Sequence, residues 1–190
     1  PGRRAALKRD ILEQALYCFI ELGVEATTIE AIKARCETSV GAIYHHFGNK
    51  EGILSALFFA AQDDQRQHLD RELANTNSLR EAVYSVICSY LDWVVANPEW
   101  ARFLYQARSA VAKGPFQEEL KDRNAKGFRE LKAKLLGFGN ESNSIVQPFE
   151  IVISLIVGPS ENYCKAWLAG RVQTSPRDYR EEFAESAWRS

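Results

Sequence analysis

Large apolar residues recur at helical spacing along almost the whole chain. Ile11, Leu12, Ala15, Leu16, Phe19 and Ile20 predict a first helix over about 5–22, and Gly23 follows as a terminator. Ile29, Ile32 and Cys36 predict a second, short helix. Thr27 and Thr28 are both suited to its N-cap, and Thr27 with Glu30 has capping-box spacing. The run Cys36-Glu37-Thr38-Ser39 breaks the pattern, and Ser39 suits the cap of a third helix over 40–47. Asn49 caps a fourth over 50–73, apolar at its start (Ile53, Leu54, Leu57, Phe58) and polar over 62–72.

After a loop at 75–77, Ser78 and Glu81 form another capping box. The helix it opens carries Val83, Val86, Ile87, Tyr90, Leu91 and Val94. Asn97-Pro98-Glu99 closes it and opens a helix with Trp100, Phe103, Leu104 and Ala107, proline sitting at the first helical position. Gly114-Pro115 interrupts. A charged helix with Phe116, Leu120, Phe128, Leu131 and Leu135 then runs to about 136. Residues 137–143 read as a polar loop. A helix over 145–168 is apolar nearly all round as far as Val157, with Glu150 its one charge. Ser175-Pro176-Arg177-Asp178 caps a last helix with Tyr179, Phe183, Ala187 and Trp188. Nothing alternates like a strand hairpin. The expectation is an all-α chain of about nine helices.

With 190 residues there is room for one small and one larger helical domain. The net charge of −1 gives no global signature of a nucleic-acid binder. The cations are patterned, however. Arg3, Arg4, Lys8 and Arg9 form a basic run, and Lys33, Arg35 and Lys50 bracket the turn before the third helix. The first four residues read as a mobile basic arm, either touching phosphate or simply solvated. The four cysteines lie far apart, without metal-ligand spacing, and suit small core positions. His45 and His46 are adjacent on a helix and diverge by about 100 degrees, which makes them a poor pair for one metal. No cofactor or metal site is expected. Neither a signal peptide nor a membrane-spanning run is recognised, so a cytoplasmic protein is expected, with no membrane partner. No activated nucleophile, paired carboxylates or phosphate-cradling glycine loop suggests an enzyme.

The third helix has the most unusual surface. Ile43 and Phe47 point to a core, leaving Val40, Gly41, Ala42, Tyr44, His45 and His46 outward. The front of that face is small and its remainder carries polar tips. A helix pressed into a phosphate-lined groove needs both properties. Ser39 adds backbone N–H groups and the positive dipole end. On periodicity alone, a plain surface hairpin of two helices packed on the first remains equally open.

The runs TTIEAI, SVGAIYHHF and NKEGIL go further. Together they resemble the helix-turn-helix of the tetracycline-repressor-like (TetR) family of bacterial regulators. Two positions depart from its pattern: Glu37 stands where a small turn residue is usual, and Thr38 where an aliphatic is. The resemblance implies a DNA-binding domain over 1–48 and a helical ligand-binding and dimerisation domain over 49–190. It implies that Thr28 and Tyr44 hold phosphates, that Ser39 caps the reading helix and touches one, and that Val40 and Ala42 face bases. Gly41 would allow close approach, His45 would reach a base or phosphate, and Lys50 a phosphate. The segments VGPSENYCKAWLAGR and FAESAWR look like the family's last two helices, through which it forms homodimers. Trp93, Trp100, Phe103, Tyr105, Phe116, Phe149 and Tyr163 are the expected lining of an effector pocket. The function implied is a ligand-responsive homodimeric regulator. Most simply it is a repressor that binds a palindromic double-stranded DNA operator and is released by a small-molecule inducer. An activator, or a helical small-molecule-binding protein without operator binding, is the alternative.

Overall fold

The computed structural model describes residues 2–138 and 147–190. Among them are nine α helices and no strand: α1 (Arg3–Leu22), α2 (Ile29–Arg35), α3 (Val40–Phe47), α4 (Lys50–Leu73), α5 (Leu79–Ala96), α6 (Pro98–Lys113), α7 (Gln117–Leu136), α8 (Phe149–Leu168) and α9 (Arg180–Trp188). The all-α expectation therefore holds. Arg3 and Arg4, expected in a mobile arm, instead form the first turn of α1. The expected loop over 137–143 and the expected helix start at 145 fall largely outside the described residues. Within them α8 begins at Phe149, directly after Pro148. The last helix starts later than expected, because Pro176–Tyr179 is a separate 3₁₀ turn with Ser175 as its cap.

Capping follows the sequence with one exchange. Thr28, not Thr27, caps α2, its Oγ1 accepting from Ala31 N–H at 3.1 Å. Thr27 is fully buried, its hydroxyl within bonding distance of the carbonyls of Gly23 (2.7 Å) and Cys18 (3.0 Å). It ties the α1–α2 loop to α1, so Glu30 has no capping box to complete. Ser39 caps α3 by accepting from Ala42 N–H at 3.1 Å, and Asn49 caps α4 through Gly52 N–H at 2.8 Å.

The helices divide into two compact units: Pro1–Asp63 with Glu99–Lys121, and Asp64–Pro98 with Asp122–Ser190. In the first, Ile11, Ala15 and Phe19 of α1 meet Ile32 of α2 and Ile43 of α3, all fully buried. Phe47 is only half-buried. The core does not stop at three helices. Ile53 and Leu57 from the first half of α4, and Phe103, Ala107 and Val111 from α6, are buried in the same cluster. The Phe103 ring lies 5.8 Å from that of Phe19. Thus the expected boundary after residue 48 falls inside a packing unit. Three short helices bury too little apolar surface to stand alone, and α4 and α6 supply the remainder.

In the second unit α5 packs on α8 and α9. Two carboxylates fasten the C-terminal segment to α5. Asp92 accepts from Arg177 Nε (2.8 Å) and from Arg180 (2.7 Å), and Glu185 accepts from Arg80 (2.7 Å), Arg189 (2.7 Å) and the Tyr84 hydroxyl. Burial alternates along α8: Phe149, Ile156, Ser160, Cys164 and Leu168 are buried, whereas Ile151 and Leu155 are 48% and 47% exposed. The second half of α4 is fixed to α7 by Lys134–Asp70 at 2.8 Å and by Arg66, which reaches the carbonyl of Arg123 at 3.3 Å and Glu130 at 3.7 Å. A Cβ placed on Gly127 of α7 would lie 2.3 Å from the Arg66 guanidinium, so that glycine makes the slot Arg66 occupies.

Candidate nucleic-acid interface

The α2–α3 pair stands on the first unit's core through Ile29, Ile32 and Ile43, which leaves its other side to solvent. Two features lock the exit from α3. Gly48 closes the helix at φ 77°, its N–H donating to Tyr44 carbonyl at 2.8 Å, a conformation that L side chains rarely adopt. Four residues on, a Cβ at Gly52 would sit 2.0 Å from the Phe47 carbonyl oxygen. The turn between α3 and α4 is therefore tight because both positions are glycine.

Tyr44 is 48% exposed, whereas its neighbour Ile43 on the same helix is fully buried in the core. His45 is exposed as well. Thr28 and Ser39 each spend an oxygen lone pair on a backbone N–H, so each hydroxyl proton remains available to donate. Gly41 has open space above it: a Cβ there would meet nothing nearer than Ser39 Oγ at 3.9 Å. The interior of the protein thus makes no demand for glycine at this position.

Three expectations need adjustment. Val40 and Ala42 are half-buried rather than fully outward, and Val40 leans on the core. His46 is also half-buried, its ring 5.4 Å from His45 and 6.2 Å from Phe47. Lys50, expected on a phosphate, donates to the carbonyls of Val24 and Glu25, both at 3.1 Å. Its position buttresses the α1–α2 loop against the start of α4. Arg35, another bracketing cation, pairs with Glu21 of α1. Lys33 is exposed.

What sequence reasoning missed is the role of α1. Lys8 places its ammonium 5.6 Å from the centre of the Phe47 ring. Desolvation and the charges of Arg4, His45 and Lys8 hold the His46 imidazole below its ordinary pKa. Lys8 of the basic run and the end of α3 are neighbours, which only the three-dimensional path of α1 reveals.

The seven aromatic residues expected to line one pocket divide between the two units. Trp100, Phe103, Tyr105 and Phe116 belong to the first unit, where Phe103 is fully buried and Trp100 and Phe116 pack on its core. Trp93, Phe149 and Tyr163 belong to the second. There Trp93 donates its indole N–H to Asp64 at 2.7 Å, and Phe149 stacks edge-on against Phe128 at 5.1 Å. Tyr163 lies 5.3 Å from Phe183. A cleft of about 500 Å³ on the α8–α9 surface includes Tyr163 alone of the seven, with Pro159, Tyr179 and Phe183. Ordinary core packing accounts for most of the set.

The thiols are held protonated. Burial pushes Cys36 up to about 11 and Cys164 up to about 12, and raises Cys18 and Cys88. Among the described residues no group of three or more His, Cys, Asp or Glu side chains is arranged to hold a metal ion, and no helix is long and apolar enough to cross a membrane.

Residues 11–57 match the model of a family described as bacterial regulatory proteins, tetR family. The HTH-type transcriptional repressor AcnR of Corynebacterium glutamicum is 36% identical over 80 residues, 42% of this chain and 40% of that protein. AcnR of Corynebacterium jeikeium is 28% identical over 190 residues, 98% of this chain and 94% of that one. A bacterial regulatory protein in the tetR family from Rhodococcus RHA1 has the same fold: TM-score 0.77, 21% identity, 100% of this chain and 97% of that chain. The match to the first of these relatives spans well under half of its length.

Proposed function

We propose, for a chain whose residues 11–57 match the model of the tetR family of bacterial regulatory proteins, that it is a homodimeric transcriptional repressor released from its operator by a small molecule. The observation that carries the DNA reading is the surface of α3. A helix capped by Ser39, bare at Gly41 and tipped by exposed Tyr44 and His45 suits entry into a major groove. Glycine costs a helix roughly 1 kcal/mol relative to alanine. With internal space for a Cβ, that cost makes sense if an external backbone must come close. Thr28, Ser39 and Tyr44 then donate to phosphates. Val40, Ala42 and His45 face base edges, and Lys50 holds the α1–α2 loop in place. The weak hydrogen-bonding capacity of Val40 and Ala42 shifts part of the specificity to duplex shape.

Dimerisation is supported by α8 and α9. Ile151 and Leu155 lie one turn apart and exposed, while Tyr179 and Trp188 are exposed beside the same pair of helices. A second copy would bury them in a four-helix arrangement. Two copies of α3 read a palindrome when their centres lie about 34–36 Å apart, or a multiple of that. For the effector, Trp93 and Phe149 in the second unit remain the proposed contacts. A coupling of about 1–3 kcal/mol would change DNA affinity about 5- to 150-fold.

The test is selection of bound fragments from random double-stranded DNA, followed by titration of the recovered duplex. A shared palindrome, lost binding in Tyr44→Ala and a steep decline of affinity with salt are expected. Recovery of no common sequence, together with unaltered binding in Tyr44→Ala, would reject the reading.

A further inference from the structure

The cations around the reading helix are not equivalent. Arg35 is paired with Glu21 and Lys50 is turned to two backbone carbonyls. Arg4 and Lys8 differ: neither has a carboxylate within salt-bridge distance among the described residues, and both side chains are exposed. The Lys8 ammonium rests over the half-buried Phe47 ring at 5.6 Å. A ring face steadies an ammonium without neutralising it. Arg4, one turn earlier on α1, is close enough for its charge to be felt at His46. In a chain with 24 basic and 25 acidic residues, two uncompensated cations beside two histidines make a local positive field at the end of α3. Such a field, left unpaired and steadied by an aromatic ring, fits an anion supplied from outside.

We propose that Arg4 and Lys8 of α1, gathered against His46 and Phe47 of α3, form a second phosphodiester-binding site that grips the DNA backbone beside the groove α3 enters. The inference rests on the DNA-binding reading above, and it adds an element outside the helix-turn-helix to the interface. Contacts to backbone phosphate carry no sequence information. The site therefore raises affinity for every duplex alike, and its signature is electrostatic. Each phosphate contact contributes about 0.9 to the slope of log affinity against log salt, so one lost contact per protomer removes about 1.8 from the slope of a dimer.

The experiment compares wild type, Lys8→Gln, Arg4→Gln and Lys8→Arg by fluorescence anisotropy. Two labelled duplexes are used, one recovered by selection and one of scrambled sequence, across a salt series. The glutamine variants are expected to weaken binding to both duplexes by the same factor and to flatten the salt slope, with thermal melting unchanged. Lys8→Arg is expected to keep the wild-type slope. A wild-type slope in both glutamine variants, while wild type binds DNA, overturns the site and leaves the repressor reading standing. Wild type that binds neither duplex sinks the repressor reading itself. Inorganic phosphate, titrated at constant ionic strength against the His46 imidazole NMR signals, separates DNA backbone from free anion. Saturation at millimolar phosphate or below would reassign the site to the free ion and overturn the proposal.

Discussion

Gly41 and Tyr44, three residues apart on one helix, make opposite demands on the chain. Gly41→Ala adds a Cβ into open space at a helical position, so stability should rise by up to about 1 kcal/mol. DNA affinity should fall, because the added methyl keeps the helix off the duplex. Denaturant unfolding and DNA titration on the same variant measure both signs. Had Gly41 been needed for packing, as Gly52 is under the Phe47 carbonyl, stability would drop instead. Thr28→Ala should cost about 1 kcal/mol through the lost cap and also weaken all duplexes, since one oxygen serves both purposes. His46 supplies a pH dependence. Its imidazole is held below the ordinary value by desolvation and by Arg4, His45 and Lys8. A phosphate arriving beside those cations removes part of the opposition, so DNA binding takes up a proton. Affinity should therefore rise as pH falls from about 7.5 towards about 6, and His46→Gln should flatten that rise in a titration series.

Individual helices were readable because their signals are local. Ser39, Asn49 and Ser78 cap what their positions announce, and the apolar spacing of α1 delivers Ile11, Ala15 and Phe19 to a core. Less was readable where the answer depends on a distant partner. Thr27 and Thr28 are equally good caps by type. The choice between them turns on whether a hydroxyl can reach the carbonyls of Cys18 and Gly23. The two carbonyls of the α1–α2 loop that Lys50 meets lie 26 and 25 residues away in the chain, so its sequence neighbours do not announce them. The aromatic set shows the same dependence: residue type marks Phe103 as apolar and large, not as a neighbour of Phe19. At this scale the α4–α7 contact makes a prediction. Gly127→Ala puts a Cβ into the Arg66 guanidinium, a flexible group that can move aside. Melting temperature should fall by only a few degrees, for a cost of about 1 kcal/mol, and Arg66→Ala should make the two changes non-additive in a double-mutant cycle. Acid has its own point of attack. Glu185 is held down at about 2 by the Tyr84 hydroxyl, Arg189 and Arg80. Its folded value lies below its unfolded one, so the stabilisation is complete above the unfolded carboxylate range and is lost as pH falls towards 2. Melting curves over that interval should converge for wild type and Glu185→Gln.

At the scale of the whole molecule, the long helices α4 and α7 each have residues in both packing units. α4 opens within the first, where Ile53 and Leu57 are buried, and continues into the second, where Arg66 and Asp70 meet α7. On the dimer reading proposed above, the surface of α8 and α9 decides whether the chain acts alone. Leu155→Glu places a charge on the exposed apolar face. It should leave helicity intact, halve the mass seen by light scattering and abolish binding to a palindrome while leaving weak binding to a half-site. If two copies pair through the bare patch carrying Ile151 and Leu155, that patch also sets a dose rule. Below the concentration at which two copies meet, the amount of paired protein grows with the square of the supply. Growth that dilutes the protein to half its concentration would then cut the concentration of operator-ready pairs by about three quarters, so an apolar stripe that paired two copies would make the gene's silence sensitive to growth rate.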